Sequence, residues 1–419
     1  MYYRPRVVDS ILEDRLDSKG AVLIEGAKWC GKTTTASQIA RSRIHMQDPA
    51  MKQQNLRMAE LHPQLLLEGN TPRLIDEWQL APQLWDAVRF EVDRRGAFGQ
   101  FILTGSSTPV ESELISHSGT GRIARLLMRP MSLYESDESN GKISLKSLFE
   151  SEEIACTSDR TILDYAFFIC RGGWPLSLGQ KESVALRQAI DYVDSIVESD
   201  ISLGEGIPRD PTRMRAFMRS YARHVSTRAK TTTIQNDILA SLSTMDINTL
   251  DRYLNDLRRI FVVEEMEAWN PKLRSKTAVR TSVTRHFVDP SIAAASLRVG
   301  PQDLLSDLKT MGLYFESLVI RDLRVYTALM EGNIYHYRDA SGLESDAVIH
   351  LHDGRYALVE VKMADSESDL AAQNLLKLKN RIDIDQMKEP SFMAIITAGE
   401  YGYRRHDGIY VVPLACLGP

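Results

Sequence analysis

The chain has 419 residues, with 51 Lys and Arg against 56 Asp and Glu, for a formal net charge of -5. A balance this close gives no global attraction to nucleic acid or to an anionic membrane, and no stretch is apolar for long enough to span a bilayer. A hydrophobic share of 43% and a charged share of 26% are those of an ordinary globular chain, and its length suggests about two to four domains. The first residues, Met1-Tyr2-Tyr3-Arg4-Pro5-Arg6, lead into mixed charged sequence rather than the apolar core of a signal peptide. Cys30, Cys156, Cys170 and Cys416 show no CxxC spacing. The expectation is a reducing cytoplasm, with neither a disulfide framework nor a zinc site.

Taken in chain order, Ala21-Val22-Leu23-Ile24 reads as a buried strand and Thr34–Ala40 as a helix. Between them, Gly26-Ala27-Lys28-Trp29-Cys30-Gly31-Lys32-Thr33 fits G-x-x-x-x-G-K-[ST] without a mismatch. Glycines there let backbone N–H groups close on phosphate oxygens, and the helix start adds unpaired donors. Gly26 to Thr34 are therefore the nucleotide-binding residues. Lys32 is placed for the β- and γ-phosphates of ATP, and the Thr33 hydroxyl for Mg²⁺. Leu74-Ile75-Asp76-Glu77 is a strand ending in two carboxylates. Asp76 takes the Mg²⁺ role and Glu77 that of the base which polarises water. Gln100–Ser107 supplies a third strand, with Thr104 and Ser106 at its polar end. They are candidates for contact with the γ-phosphate or the water, or else for a cap or turn. Arg122, and after it Arg125, in Gly119–Leu127 are candidate arginine fingers for a neighbouring subunit's ATP, or else surface residues.

Residues 1–200 resemble a prokaryotic AAA+-type ATPase family. The resemblance rests on GAKWCGKTT, LIDEWQLAP, FILTGSS, SGTGRIARL and RPMSLYE, in that order. It implies an αβα P-loop core, a homo-oligomer, and a C-terminal domain of unknown function that resembles PD-(D/E)xK nucleases. Gln79 matches the family's DExQ pattern, with the bulky Trp78 in its variable position. Arg171-Gly172-Gly173-Trp174-Pro175 resembles the family's GGxP element and reads as structural.

Residues 207–285 hold 15 Lys and Arg against 8 Asp and Glu, so the rest of the chain is acidic. Met214–Val225, Thr232–Ser241 and Asn248–Ile260 read as helices, and the alternating Phe261–Trp269 and Thr277–Phe287 as a hairpin. Three helices and a hairpin make a winged-helix pattern. Arg252, Arg258, Arg259, Lys272, Arg274 and Lys276 are then candidates for DNA phosphates, although Asp251 and Asp256 on the third helix would repel them.

In the last segment Glu316 lies on a helix, Asp346 on a strand of a hairpin, and Glu360 and Lys362 on the next strand, two apart and so on one face. This is the PD-(D/E)xK arrangement. Asp346 and Glu360 are the candidate ligands of a second Mg²⁺ or of Mn²⁺, Lys362 would position water, and Gln373 could add a contact. The fold expected is α/β: a P-loop αβα parallel sheet (1–160), a helical connector (161–206), a basic winged-helix-like module (207–300) and an α/β PD-(D/E)xK-like domain (301–419). The function expected is an ATPase coupled to DNA binding through 207–285, and to DNA cleavage. The alternative is a nucleotide-switch regulator or adaptor whose nuclease-like domain is silent and serves protein contacts.

Overall fold

A computed structural model describes residues 3–107, 119–200, 210–240, 246–270, 282–339, 341–382 and 388–419. The chain divides into two compact units.

The first unit holds Met1–Pro130, with Ser199–Pro208 and Asp256–Val262. Its elements are α1 (Val7–Ser18), β1 (Ala21–Glu25), α2 (Lys32–Ile39), β2 (Ser42–His45), α3 (Lys52–Leu61), α4 (Pro63–Leu66), β3 (Arg73–Asp76), α5 (Leu84–Arg95), β4 (Phe101–Gly105) and β5 (Ile123–Leu127). The five strands form one parallel sheet in the order β2-β3-β4-β1-β5. Strand parity explains the layering. Ala21, Leu23, Ile75, Phe101 and Leu103 face one core, with Ala59, Trp85, Val88 and Val92 from α3 and α5. Val22, Ile24, Leu74 and Ile102 face another, with Leu12, Leu16 and Ala36 from α1 and α2. A parallel sheet covered on both faces reads as continuous apolar runs, and β1 and β4 are such runs. Placing β4 between β1 and β3 brings the P-loop and the Asp76 strand end to the same edge of the sheet.

The second unit holds Met131–Glu198, Arg209–Asn255 and Val263–Pro419. It begins with β6 (Ile143–Ser144), α6 (Leu145–Phe149), β7 (Ala155–Thr157), α7 (Ile162–Arg171) and α8 (Glu182–Ser195). Then come α9 (Pro211–Arg223), α10 (Thr231–Leu239), α11 (Ile247–Arg259), which runs on into residues of the first unit, α12 (Pro290–Leu297), α13 (Pro301–Ser306) and α14 (Leu308–Thr327). The chain closes with β8 (Gly332–Arg338), β9 (Glu344–Leu351), β10 (Tyr356–Lys362), α15 (Ser368–Arg381), β11 (Phe392–Thr397), β12 (Tyr401–Arg404), β13 (Tyr410–Pro413) and β14 (Leu417–Gly418). A seven-stranded mixed sheet runs β7-β12-β13-β11-β10-β9-β8. Val348, Tyr356, Leu358 and Ile395 pack against Ala371, Ala372, Leu375 and Leu378 of α15.

Residues 131–160, grouped with the ATPase domain on sequence, supply β6 and β7. Both pair with C-terminal strands, β6 with β14 and β7 with β12. Of the hairpin expected over Phe261–Trp269 and Thr277–Phe287, the described residues form two antiparallel bridges, Val263 to Phe287 and Met266 to Thr284. The arm then leaves for the edge of the sheet, where Ala268 bridges His336 and the Trp269 N–H donates to the His336 carbonyl at 2.6 Å. An open strand edge offers such unpaired groups, and Trp269 stacks there on Tyr356 at 5.0 Å. Residues 271–281, with Lys272, Arg274 and Lys276, lie outside the described residues. Among the described residues no helix is long and apolar enough to cross a membrane.

A buried ionic network ties the second unit together. Arg321 on α14 donates to Asp289 at 2.9 Å and, through Nε and Nη2, to Asp322 at 2.9 and 2.7 Å. Asp289 also accepts from the N–H groups of Gly173 and Ser291, and Asp322 from that of Leu133. The two glycines of the GGxP element are required here. A Cβ on Gly172 would meet Ser291 Oγ at 2.3 Å, and one on Gly173 would meet the Met131 carbonyl at 2.1 Å.

Candidate nucleotide site

Gly26 leaves β1 at φ 153°, where a Cβ would meet the Met128 carbonyl at 2.1 Å. Gly31 at φ 104° caps α2 in a left-handed conformation that glycine adopts at little cost. Between them Ala27 is buried, Lys28 half-buried, and Trp29 exposed at φ 65°. Cys30 is fully buried with its thiol on the Met128 carbonyl, as a small loop residue would be. Lys32 is folded onto its own loop, donating to the Gly26 and Ala27 carbonyls at 2.9 and 2.8 Å. Those are bonds a phosphate would replace. Thr34 is exposed on the first turn of α2.

Asp76 organises the other half of the site. Its Oδ1 accepts from the Thr33 hydroxyl at 2.6 Å and from the Thr104 hydroxyl at 2.6 Å, and its Oδ2 lies 2.9 Å from His45 Nδ1. Thr104 is thus a holder of Asp76, buried on β4. Thr33 and Asp76, the pair that would bind Mg²⁺, are already in contact, so the residues present fit the ion. Glu77 turns off β3 at φ 57°, half-buried. Its Oε2 accepts from Gln79 Nε2 and, at 3.2 Å, from Ser106 Oγ. Ser106 therefore helps hold the Glu77 carboxylate in place. His45 gave no motif and was missed on sequence. Its place at the end of β2, beside β3, is visible only once the parallel pairing is known.

Arg122 lies at the opposite edge of the sheet, just before β5, and donates to Asp93 at 2.7 Å. Arg125 pairs with Glu25 at 3.0 Å and lies over the Trp85 ring. Neither enters the P-loop of its own chain.

In the second unit, Lys362 Nζ lies 2.8 Å from Glu360 and 3.4 Å from Asp346, whose Oδ2 also accepts from the Val361 N–H. Glu360 is buried with its Oε1 unpartnered. Burial and the neighbouring Asp346 push its pKa up to about 8, against the opposing pull of Lys362. Part of the Glu316 side chain stays accessible, yet burial of its carboxyl and the Asp346 charge raise it well above the usual range. Gln373 is exposed. Four of the five residues named on sequence thus converge. A second metal is not supported: among the described residues no group of three or more His, Cys, Asp or Glu is disposed to hold an ion, and the Lys362 ammonium lies against both acidic side chains.

The raised carboxyl has a consequence for stability. The folded chain keeps the Glu360 proton up to about 8, whereas an unperturbed glutamate releases it near 4.5. Stability from this group is complete below the lower value and is lost as pH rises to the upper one. The denaturation midpoint of the second unit should fall between about pH 5 and about pH 8. Glu360→Gln, which cannot ionise, should show a smaller fall. Midpoints measured across that range in both proteins check this.

Of the fifteen cations in residues 207–285, Arg213, Arg215, Arg223, Arg228 and Arg285 each pair with an Asp or Glu, and none of these five is among the candidates for DNA phosphates. Arg252 is exposed on α11.

Residues 18–136 match the family model of an AAA domain. Residues 162–303 match a domain of unknown function (DUF8612), and 311–417 another (DUF4143). Two uncharacterized proteins, Mb2031c of Mycobacterium bovis and Rv2008c of Mycobacterium tuberculosis, are each 24% identical over 401 residues, or 94% of this chain and 79% of theirs. A Walker-type ATPase of Pyrococcus abyssi, PABY2304, aligns with 71% of this chain and 96% of its own at 13% identity and a TM-score of 0.43. The P-loop unit is thus similar to AAA ATPase domains in sequence, and its parallel sheet carries the nucleotide loop those domains use.

Proposed function

We propose that this chain binds ATP with Mg²⁺ at the Gly26–Thr34 loop and hydrolyses it. The observation that carries the reading is the joining of Thr33, Asp76 and Thr104 at one carboxylate oxygen, beside a lysine held by carbonyls of its own loop. The similarity to an AAA domain supports it. Mg²⁺, held by Thr33 and Asp76, would supply charge to offset that of the phosphates. Lys32 moves from the Gly26 and Ala27 carbonyls to the β- and γ-phosphate oxygens. Glu77, held by Ser106 and Gln79, accepts a proton from the attacking water. An arginine finger, Arg122 first and Arg125 second, would act on a neighbouring copy in a homo-oligomer.

A second reading concerns what the nucleotide controls. The convergence of Glu316, Asp346, Glu360 and Lys362 supports coupling to DNA cleavage, with DNA held along residues 207–285. The contact of Lys362 with both acidic side chains, Glu360 and Asp346, favours the alternative. In that alternative a nucleotide switch drives a catalytically silent nuclease-like domain that makes protein contacts. One experiment treats both: ATP turnover with and without duplex DNA, with the DNA recovered on a gel. Turnover indifferent to DNA, and DNA left intact with Mg²⁺ or Mn²⁺, is the expected result. Cleavage lost in Glu360→Ala would restore the nuclease.

A further inference from the structure

We infer that Arg6 is a positioning residue for the nucleotide loop, setting the peptide between Cys30 and Gly31 so that its N–H faces the phosphates. The inference rests on the ATP reading above and adds a residue to it.

Arg6 precedes α1 and is buried, although arginine seldom is. Its guanidinium spans two carbonyls far apart in sequence. Nη1 donates to the Cys30 carbonyl at 2.9 Å, and Nη2 to the Arg129 carbonyl, just past β5, at 2.9 Å. The segment that carries it is itself held. Asp9 accepts from the Arg6 N–H at 2.8 Å and from the Tyr3 hydroxyl at 2.6 Å, and that hydroxyl lies 3.0 Å from Thr35 Oγ1 on α2. Burial and Asp9 raise the Tyr3 pKa, which keeps the hydroxyl protonated as a donor.

The peptide bond supplies the link to the ligand. In a planar trans peptide the carbonyl and the following N–H point to opposite sides. An arginine that holds the Cys30 carbonyl on the α1 side therefore turns the Gly31 N–H away from it, toward the face where the loop receives phosphate. Gly31 at φ 104° could rotate freely without such a hold. A planar fork with two fixed donors suits the task, and a lysine ammonium supplies only a point charge. The role is preorganisation: the ordering of the loop is met in folding rather than on binding.

The test uses the full chain with Arg6→Met and Arg6→Lys, and Lys32→Ala as the control. It reads the KM and kcat of ATP turnover, and the shift in denaturation midpoint that ADP with Mg²⁺ produces. The expected result is a KM raised about tenfold in Arg6→Met, a smaller rise in Arg6→Lys, a kcat within about threefold of the parent, and a diminished nucleotide-induced shift. If Arg6→Met does not fold, the Arg6→Lys values carry the test. An unchanged KM and shift in a folded variant, or a fall in kcat alone, would overturn the inference while Lys32→Ala still loses binding. A parent chain that binds no nucleotide would overturn the ATP reading and this one with it.

Discussion

Glu77→Gln is expected to bind ATP as the parent does and to turn it over about 10²–10⁴-fold more slowly, the usual span for loss of a general base. The substitution is nearly isosteric. Its amide oxygen can still accept from Ser106, which lies 3.2 Å from Glu77 Oε2, so the loop after β3 should keep its shape. What goes is the negative charge that takes a proton from water. Lys32→Ala should behave differently. The lysine sits against the loop carbonyls at 2.9 and 2.8 Å, which a phosphate would replace as its partners. Binding and turnover should both be lost. Nucleotide binding at equilibrium together with single-turnover phosphate release separates the two outcomes. Turnover by Glu77→Gln within about tenfold of the parent would remove Glu77 from the base role.

Arg321→Met is expected to destabilise the second unit by about 3–5 kcal/mol, the cost of leaving a buried partner uncompensated. Its side chain is 2% exposed, and those of Asp289 and Asp322 are 0% exposed. One guanidinium thus offsets two carboxylates with no solvent to help. Both carboxylates also accept backbone N–H groups, Gly173 and Ser291 on Asp289 and Leu133 on Asp322. Those bonds hold the chain just after the P-loop unit, the GGxP turn and the start of α12. Burial raises the Asp322 pKa and Arg321 lowers it, so loss of the arginine would push it further up. Asp322→Asn should also destabilise, because an amide oxygen kept on Leu133 sets the amide NH2 against the Arg321 donors. Urea denaturation followed through tryptophan fluorescence measures this, with Trp174 and Trp269 in the unit concerned. A loss below about 1 kcal/mol would mean the network is replaceable.

The nucleotide half of the molecule was legible because its signals are contiguous. Gly26 to Thr33 is a single loop, and Asp76 and Glu77 end an apolar strand, so type and order sufficed. The contacts that complete the site were not legible. Arg6 has no periodic or motif context, and only the folding of α1 beside the loop brings it to Cys30. His45 reaches Asp76 through a strand pairing that local sequence does not encode. In the second unit, Glu316, Asp346, Glu360 and Lys362 were found from spacing. Spacing could not show that Lys362 would pair with both acids. Asp289 and Arg321 carry no signal in the sequence, since a buried ion pair has the same letters as an exposed one. The pairing of Ala155–Thr157 with Tyr401–Tyr403 joins segments too distant for any local pattern. Of the 261–287 hairpin only the outer residues are described, and alternation reports a strand with one face buried without naming its partner.

The most direct measurement is Mg²⁺-dependent phosphate release from ATP by the parent chain and by Lys32→Ala, prepared side by side. The account predicts turnover in the parent that Mg²⁺ chelation stops and that Lys32→Ala lacks. Equal release by the two proteins, or none by a folded parent that also fails to bind nucleotide, would contradict it.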